Sequence, residues 1–509
     1  MKRIRYILNS LIVAVCLSFL ATSCNDLLET KVFSDIAPEN FFKTESDMKA
    51  AVTGLYVPLT TNWGYGDGGT GGWYSALYCA DVGACFPAGL LTTDELRSYN
   101  TSHDFVDFNF GSSTGGAINN TYNIIRFVAR ATDVINRIEQ SGGATEDIRN
   151  RFIAETKTLR AFYMYTLLDW FGPVNVKLDP ETLMDNTIEP RPSLSDYVGY
   201  IEKDLDDAIA TISFPDKYNN DAANWGRMSK AIAYAIRMKV SMHERNWTEA
   251  KAACNQLMSM GYNLLPNYED VFNLKRTVED IYFIPSNLAF DNFYITEILP
   301  GNFVSGYNNK GEFYMRGNES SYLGGWQVYC MNWDFYDTFD DNDVRKKAIL
   351  CKYVTANGET IDRTNSMVGA IPIKFTDSQY ALFGIQADHP VIRYAEVLLS
   401  YAEAENEING PTSDAIAAVK RITSRAGTEM PAGATANKDA FRSFLLAERG
   451  RELFCEGQRR QDLIRQGEFI KSAIARGKNA KEYQVLFPIP QFAITEAGGI
   501  LKQNPGYTD

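Results

Sequence analysis

The chain has 509 residues, of which 45% are hydrophobic and 13% aromatic, enough apolar material for a large core divided into two or three lobes. Lys plus Arg number 50 against 63 Asp plus Glu, and the resulting net charge of −13 argues against nucleic acid as a partner, because phosphate binding needs a basic surface. The 28 Tyr, 29 Phe and 7 Trp are mostly core, but those in glycine-rich stretches are candidates for a ligand surface.

Lys2, Arg3 and Arg5 precede an apolar run from Tyr6 to Leu20, too short for a membrane span, which needs about 20 apolar residues. Small residues then lead to Cys24. This is the pattern of a lipoprotein signal, residues 1–23, with the Cys24 thiol taking the diacylglycerol. Acyl chains on Cys24 anchor a protein to a membrane without a spanning helix, and residues 24–40 read as the lipidated tether. Among the later cysteines, Cys254 and Cys455 lie on apolar helical patterns and read as small core residues. Cys79 and Cys85 are the one locally plausible bridge, and their spacing leaves thiol and disulfide both open.

From Phe41 to Tyr56 the spacing predicts a helix capped by Thr44 or Ser46, with Met48, Ala51, Val52, Leu55 and Tyr56 inward. Asn62 to Tyr74 is glycine-rich and carries Trp63, Tyr65, Trp73 and Tyr74. No Gly-Lys-Ser/Thr step follows it and no strand precedes it, so it reads as a loop presenting rings rather than a phosphate cradle. Between Gly83 and Phe108, Arg97, Tyr99 and Asn100 have the chemistry of ligand contacts. Helical periodicity then runs through 118–140, 147–171 and 193–212, and through a hairpin, 228–243 and 247–260, broken at Arg245 and Asn246. That hairpin spans about one tetratricopeptide period, with Ala231, Ala235, Ala250 and Ala253 where the helices cross. With a second pair around Val391 and Pro411, the expected class is mainly α: tetratricopeptide-like pairs, separated in sequence and stacked in space.

Residues 266–390 lose that periodicity and gain glycine and aromatic residues, among them Trp326 and Tyr329. They are expected to form a loop-rich insertion with a functional surface. Parts 41–265 and 391–509 supply the helical frame. The acidic run Phe339 to Arg345 lacks EF-hand spacing but leaves a calcium ion open. The three histidines are isolated, and no zinc, redox-thiol or serine-nucleophile motif occurs, so no catalytic residue, metal or cofactor is expected. A two-carboxylate glycosidase stays open on sequence alone, given 63 acids.

In the carboxyl-terminal part, Ala395, Leu398, Leu399 and Ala402 share a face of a helix expected to begin near Pro390 and to stop at Asn409-Gly410-Pro411. A partner helix is expected from Leu445 to Ile464. Its Glu448, Glu452 and Glu456 fall on one stripe, with Arg449, Arg451, Arg459 and Arg393 as candidate counter-charges. Matched arginines lower carboxylate pKa values, so this reads as a partly buried structural network rather than an acid–base pair.

Three stretches carry a likeness: Arg393 to Ala404; Glu448 to Arg459 with Asp462-Leu-Ile-Arg465; and Phe487 to Gln491 with Gln503 to Tyr507. They resemble the SusD/RagB family of outer-membrane nutrient-binding lipoproteins. The resemblance implies a lipid-anchored, cell-surface protein that captures an oligosaccharide and passes it to a SusC-like TonB-dependent porter. Alternatives are a docking or lid subunit without glycan affinity, and a peptide binder. Sugar rings stack on Trp and Tyr while amides and charged groups take their hydroxyls. Trp326 and Tyr329 are therefore the first choices for the ligand site, followed by Trp63, Trp73, Tyr99 and Asn100. Asp343 and Arg345 resemble a structural pair of the family.

Overall fold

The computed structural model describes residues 41–61, 77–80, 84–99, 103–185, 187–286, 294–314, 324–375, 380–381, 384–385 and 387–508. Helix α1 (Glu45–Gly54) starts in a capping box: the Thr44 hydroxyl accepts from the Asp47 N–H, and the Asp47 carboxylate accepts from that of Thr44. Helix α2 (Ile125–Glu139) turns Phe127, Val128, Ala131, Ile135 and Ile138 inward. The helix expected from residue 118 is in fact two, because Ala117–Tyr122 ends before Ile124. Helices α3 (Glu146–Phe171) and α4 (Leu194–Ala210) are capped by Thr145 and Ser193. Between α5 (Lys230–His243) and α6 (Trp247–Ser259), Arg245 takes a left-handed φ of 57° and Asn246 caps the second helix. The frame finishes with α7 (Tyr394–Asn409), α8 (Ser413–Ala426), α9 (Lys438–Leu453) and α10 (Arg459–Arg465).

From α2 to α8 each helix packs on the next, including α6 on α7 although residues 260–393 intervene in the chain, and α9 also packs on α7. The result is a row of tetratricopeptide-like pairs. Ala231, Ala235, Ala250, Ala253, Ala395 and Ala402 are all buried, which allows the close crossings that make the row continuous.

The intervening segment carries most of the described strands. In chain order the principal ones are β1 (Leu96–Ser98), β2 (Asp280–Ile284), β3 (Phe303–Tyr307), β4 (Tyr329–Met331), β5 (Lys352–Thr355) and β6 (His389–Arg393). Strands β3 and β5 are the centre of a four-stranded antiparallel sheet with Phe313–Tyr314 and Thr360–Asp362 at its edges. Strands β2 and β6 pair antiparallel where the segment leaves and rejoins the helices. That pairing corrects the expected start of α7. Pro390 holds His389 extended, the ladder to β2 continues as far as Arg393, and the helix begins only at Tyr394.

The expected helix Leu445–Ile464 is also divided. Cys455 and Gly457 adopt φ values of 58° and 80°, separating α9 from α10. Buried cations make this break tolerable. Lys374 Nζ donates to the carbonyls of Glu452 (3.2 Å) and Phe454 (2.8 Å), and Arg393 Nη2 to that of Glu452 (2.6 Å), satisfying the open end of α9. Cys455 is thus buried at a bend, while Cys254 is buried within α6. Cys85 is a free thiol, so it makes no bridge with Cys79, and burial pushes its pKa to about 12.

The glutamate stripe meets its cations in the core. Arg393 binds Glu452 (2.7 Å), Glu456 (2.7 Å) and Glu279 (2.9 Å). Arg345 binds Asp343 (2.7 Å), Glu448 (2.9 Å) and Glu452 (3.1 Å). Arg451 pairs with Glu448 as expected, whereas Arg449 and Arg459 turn instead to Asp462 and Asp94. Sequence reading missed Glu279, Lys374 and Arg425, which arrive from other elements; it paired Arg345 with Asp343 but not with the stripe. The acidic run Phe339–Arg345 is largely committed as well: Asp343 to Arg345, and Asp341 to Lys346 at 3.1 Å.

Candidate ligand-binding site

Two stretches singled out from the sequence meet in space. Strand β1 pairs antiparallel with β4, placing Arg97 opposite Cys330 and Ser98 opposite Tyr329. The ladder extends one step further, where the Tyr99 N–H donates to the Val328 carbonyl at 2.9 Å.

The loop before β4 is held by its backbone. Gly325, Trp326, Gln327 and Val328 donate in turn to the carbonyls of Pro300 (3.1 Å), Thr296 (2.7 Å), Leu299 (3.1 Å) and Glu297 (2.7 Å). Only glycine fits at its start. A Cβ on Gly324 would stand 2.0 Å from the Gly301 carbonyl oxygen, and one on Gly325 2.2 Å from that of Thr296. Gln327 itself takes a left-handed φ of 56°, an uncommon conformation for a residue with a side chain and one that recurs at functional sites. On this stitched loop Trp326 stays 48% exposed.

Tyr99 is half-buried beside that loop. Its hydroxyl lies near the side chains of Gln327 and Tyr353, and burial pushes it above the usual tyrosine range. Tyr353 in turn stacks on Phe303 at 6.0 Å, so the polar cluster rests on the β3–β5 sheet. An exposed indole, a half-buried tyrosine and a glutamine amide on a stiff frame have the chemistry to stack a flat or ring-shaped ligand and bond its hydroxyls. No proton need move.

Tyr329 is a correction. It is fully buried, its ring lies 6.1 Å from that of Tyr294, and its hydroxyl donates to the Ala80 carbonyl at 3.0 Å. Side chains alternate along a strand, and Tyr329 shares the inward side with Ser98 opposite, so it supports the site from below. Trp63, Trp73, Asn100 and Cys24 lie outside the described residues. Gln327 and Tyr353 were missed by sequence reading. The Gly324-Gly325 step was the signal that could have drawn attention to the loop as a rigid display element.

Residues 354–507 match the model of the SusD family. Over 95% of this chain and 96% of the relative, the sequence is 25% identical to SusD-like protein P25 of Formosa agariphila. The chain is thus similar to SusD-like proteins over nearly its whole length. The starch-binding protein SusD of Bacteroides thetaiotaomicron is 22% identical over 73% of this chain and 75% of its own length. Among solved structures, surface glycan-binding protein A of B. thetaiotaomicron in complex with laminarihexaose superposes with a TM-score of 0.70 at 20% identity, covering 91% of this chain and 99% of that one. NanU of B. fragilis superposes with a TM-score of 0.72 at 19% identity, covering 94% and 99%. At such identities the structural likeness speaks for the fold, and the SusD-like frame is the helical row described above.

Proposed function

We propose that this chain is a non-catalytic surface protein that stacks a glycan on Trp326, bonds its hydroxyls through Gln327 and Tyr99, and delivers it to a SusC-like TonB-dependent porter. The observation that carries this reading is the exposed indole of Trp326 on a loop tied by consecutive backbone hydrogen bonds. Rigidity lowers the entropic cost of ordering a binding surface. Trp63, Trp73 and Asn100 are assigned to the same ligand surface as a second tier of rings and amide. The names of relatives support the ligand class: a starch-binding protein and a laminarin-binding SusD-like protein.

Lipidation at Cys24 anchors the chain to the outer membrane in this reading, after removal of residues 1–23 and with 24–40 as tether. Among the described residues no helix is long and apolar enough to cross a membrane. Residues 41–265 and 391–509 form the frame and 266–390 the ligand-bearing insertion. The glutamate stripe suits structure rather than proton transfer. Burial raises the Glu452 pKa, but Arg425, Arg393 and Arg345 outweigh it and hold the carboxyl down at about 2, a poor general acid at neutral pH.

Calorimetry against a glycan panel including laminarihexaose tests the proposal. Trp326→Ala is expected to weaken binding by about thirtyfold or more, the loss of an aromatic anchor worth about 2 kcal/mol. Binding that survives this change at full strength removes the site. Co-purification with a porter alongside no affinity for any glycan supports the docking alternative, and release of new reducing ends overturns the non-catalytic reading. Cys24→Ala is expected to move the protein from the membrane to the soluble fraction.

A further inference from the structure

A cleft of about 480 Å3 opens beside strand β1. Arg97 enters it from β1, Asn332 and Asp334 from just beyond β4, and Arg476 and Lys478 from the carboxyl-terminal part. Its charges are distributed unlike those of the interior. The buried guanidiniums Arg345, Arg393 and Arg465 each hold carboxylates within 3.1 Å. Arg97, by contrast, makes one long hydrogen bond among the described residues, from Nε to the Ser98 carbonyl at 3.4 Å. Among the described residues, Arg476 donates only to the carbonyls of Ser472 and Thr92, each at 3.2 Å. Among the described residues neither has a carboxylate within ion-pair distance.

The acids near the cleft are mostly committed elsewhere. Asp94 is held by both arms of Arg459 at 2.7 and 2.8 Å, and Asp107 by Lys478 at 2.8 Å. Asp334, exposed at the rim, is the remaining carboxylate of the lining. Burial holds the Arg476 guanidinium below its ordinary pKa, as expected for a charge short of compensation. In a chain of net charge −13, two arginines with unspent donors in one cleft are out of keeping with their surroundings.

Arg97, which lines the cleft, links it to the aromatic surface through the chain. Arg97 and Tyr99 are two residues apart on extended chain, so they point to the same side with Cα atoms about 7 Å apart. We infer that the cleft receives an anionic substituent, a uronate carboxylate or a sulfate ester, of a glycan stacked on Trp326, with Arg97 and Arg476 as its forked donors. The ligand class is therefore an acidic glycan. This deepens the proposed function and rests on it.

The test is calorimetry of the full chain with three hexasaccharides: a galacturonate oligomer, a sulfated galactan and neutral laminarihexaose. Wild type is expected to bind at least one anionic hexamer tenfold or more tightly than laminarihexaose, with a preference that weakens as salt is raised. Which of the two binds distinguishes carboxylate from sulfate. Arg97→Gln and Arg476→Gln are each expected to reduce that preference by about tenfold, with Arg97→Lys intermediate because it keeps the charge and loses the fork. Equal affinity for anionic and neutral hexamers, or a preference untouched in both Gln variants, overturns the inference. In that case continued loss of binding in Trp326→Ala shows that the glycan site itself stands. If Trp326→Ala binds all three as wild type does, the site and the inference fall together.

Discussion

The ion network under α7 and α9 and the surface around Trp326 use similar residues to opposite ends. In the network, Arg393 is fully buried and spends its donors on three carboxylates and a carbonyl. At the surface, Arg97 spends almost none, and Trp326 leaves half its area to solvent. Charge that is fully answered inside the protein fixes geometry; a guanidinium with spare donors and an indole open to solvent are available to a ligand. The two regions also touch. Asp94 binds Arg459 from the carboxyl-terminal part, and the next residue, Glu95, accepts the Cys455 N–H at 3.3 Å.

The largest expected effect comes from breaking the network. Arg393→Ala leaves Glu279, Glu452 and Glu456 buried with fewer cations, and unpaired buried charge costs about 3–5 kcal/mol. Chemical denaturation should show a loss of that size. A loss under about 1 kcal/mol would mean that the carboxylates find other partners, and that the contrast between the two regions is weaker than the distances imply.

The junction supplies the next test. Burial pushes the Glu95 pKa from 4.5 to about 8, and among the described residues Oε1 has no hydrogen-bond partner. A carboxyl with a raised folded-state pKa contributes stability that is complete below about 4.5 and is lost as pH climbs to about 8. Across that window stability should fall by up to about 5 kcal/mol from this group alone. Glu95→Gln should flatten the slope. An unchanged slope between those pH values would assign it elsewhere.

Much of the frame was legible from the sequence because helices repeat a short period. The cap at Thr44, the break at Arg245 and Asn246, and the stop at Gly410 are local facts. The network was legible only in part: Arg393 and Arg451 were expected, but Lys374 and Glu279 reach it through tertiary packing that no spacing encodes. The surface was hardest to read. Its composition marked Trp326 and Tyr99, yet β4 has three residues, too few for alternation to show that Tyr329 faces inward. The pairing of β1 with β4 joins segments remote in the chain, and only the fold reveals it.

Between these extremes lies Gly325→Ala. The new Cβ would fall 2.2 Å from the Thr296 carbonyl, so the loop has to move, and Trp326 with it. Glycan affinity should drop by about tenfold, with stability changed by about 1–2 kcal/mol. Unaltered affinity would show that the stitched backbone is not what orients the indole.

The smallest effect separates support from contact. Tyr329→Phe removes the hydroxyl that donates to the Ala80 carbonyl and keeps the ring packed beside Tyr294. One buried hydrogen bond contributes about 1 kcal/mol, so denaturation should register a loss of that order. Glycan affinity should stay within about twofold of wild type, because the hydroxyl faces the core and never reaches the ligand. A tenfold loss of affinity without a matching loss of stability would move Tyr329 back among the ligand contacts, and would require β4 to turn its inward face outward when a glycan binds.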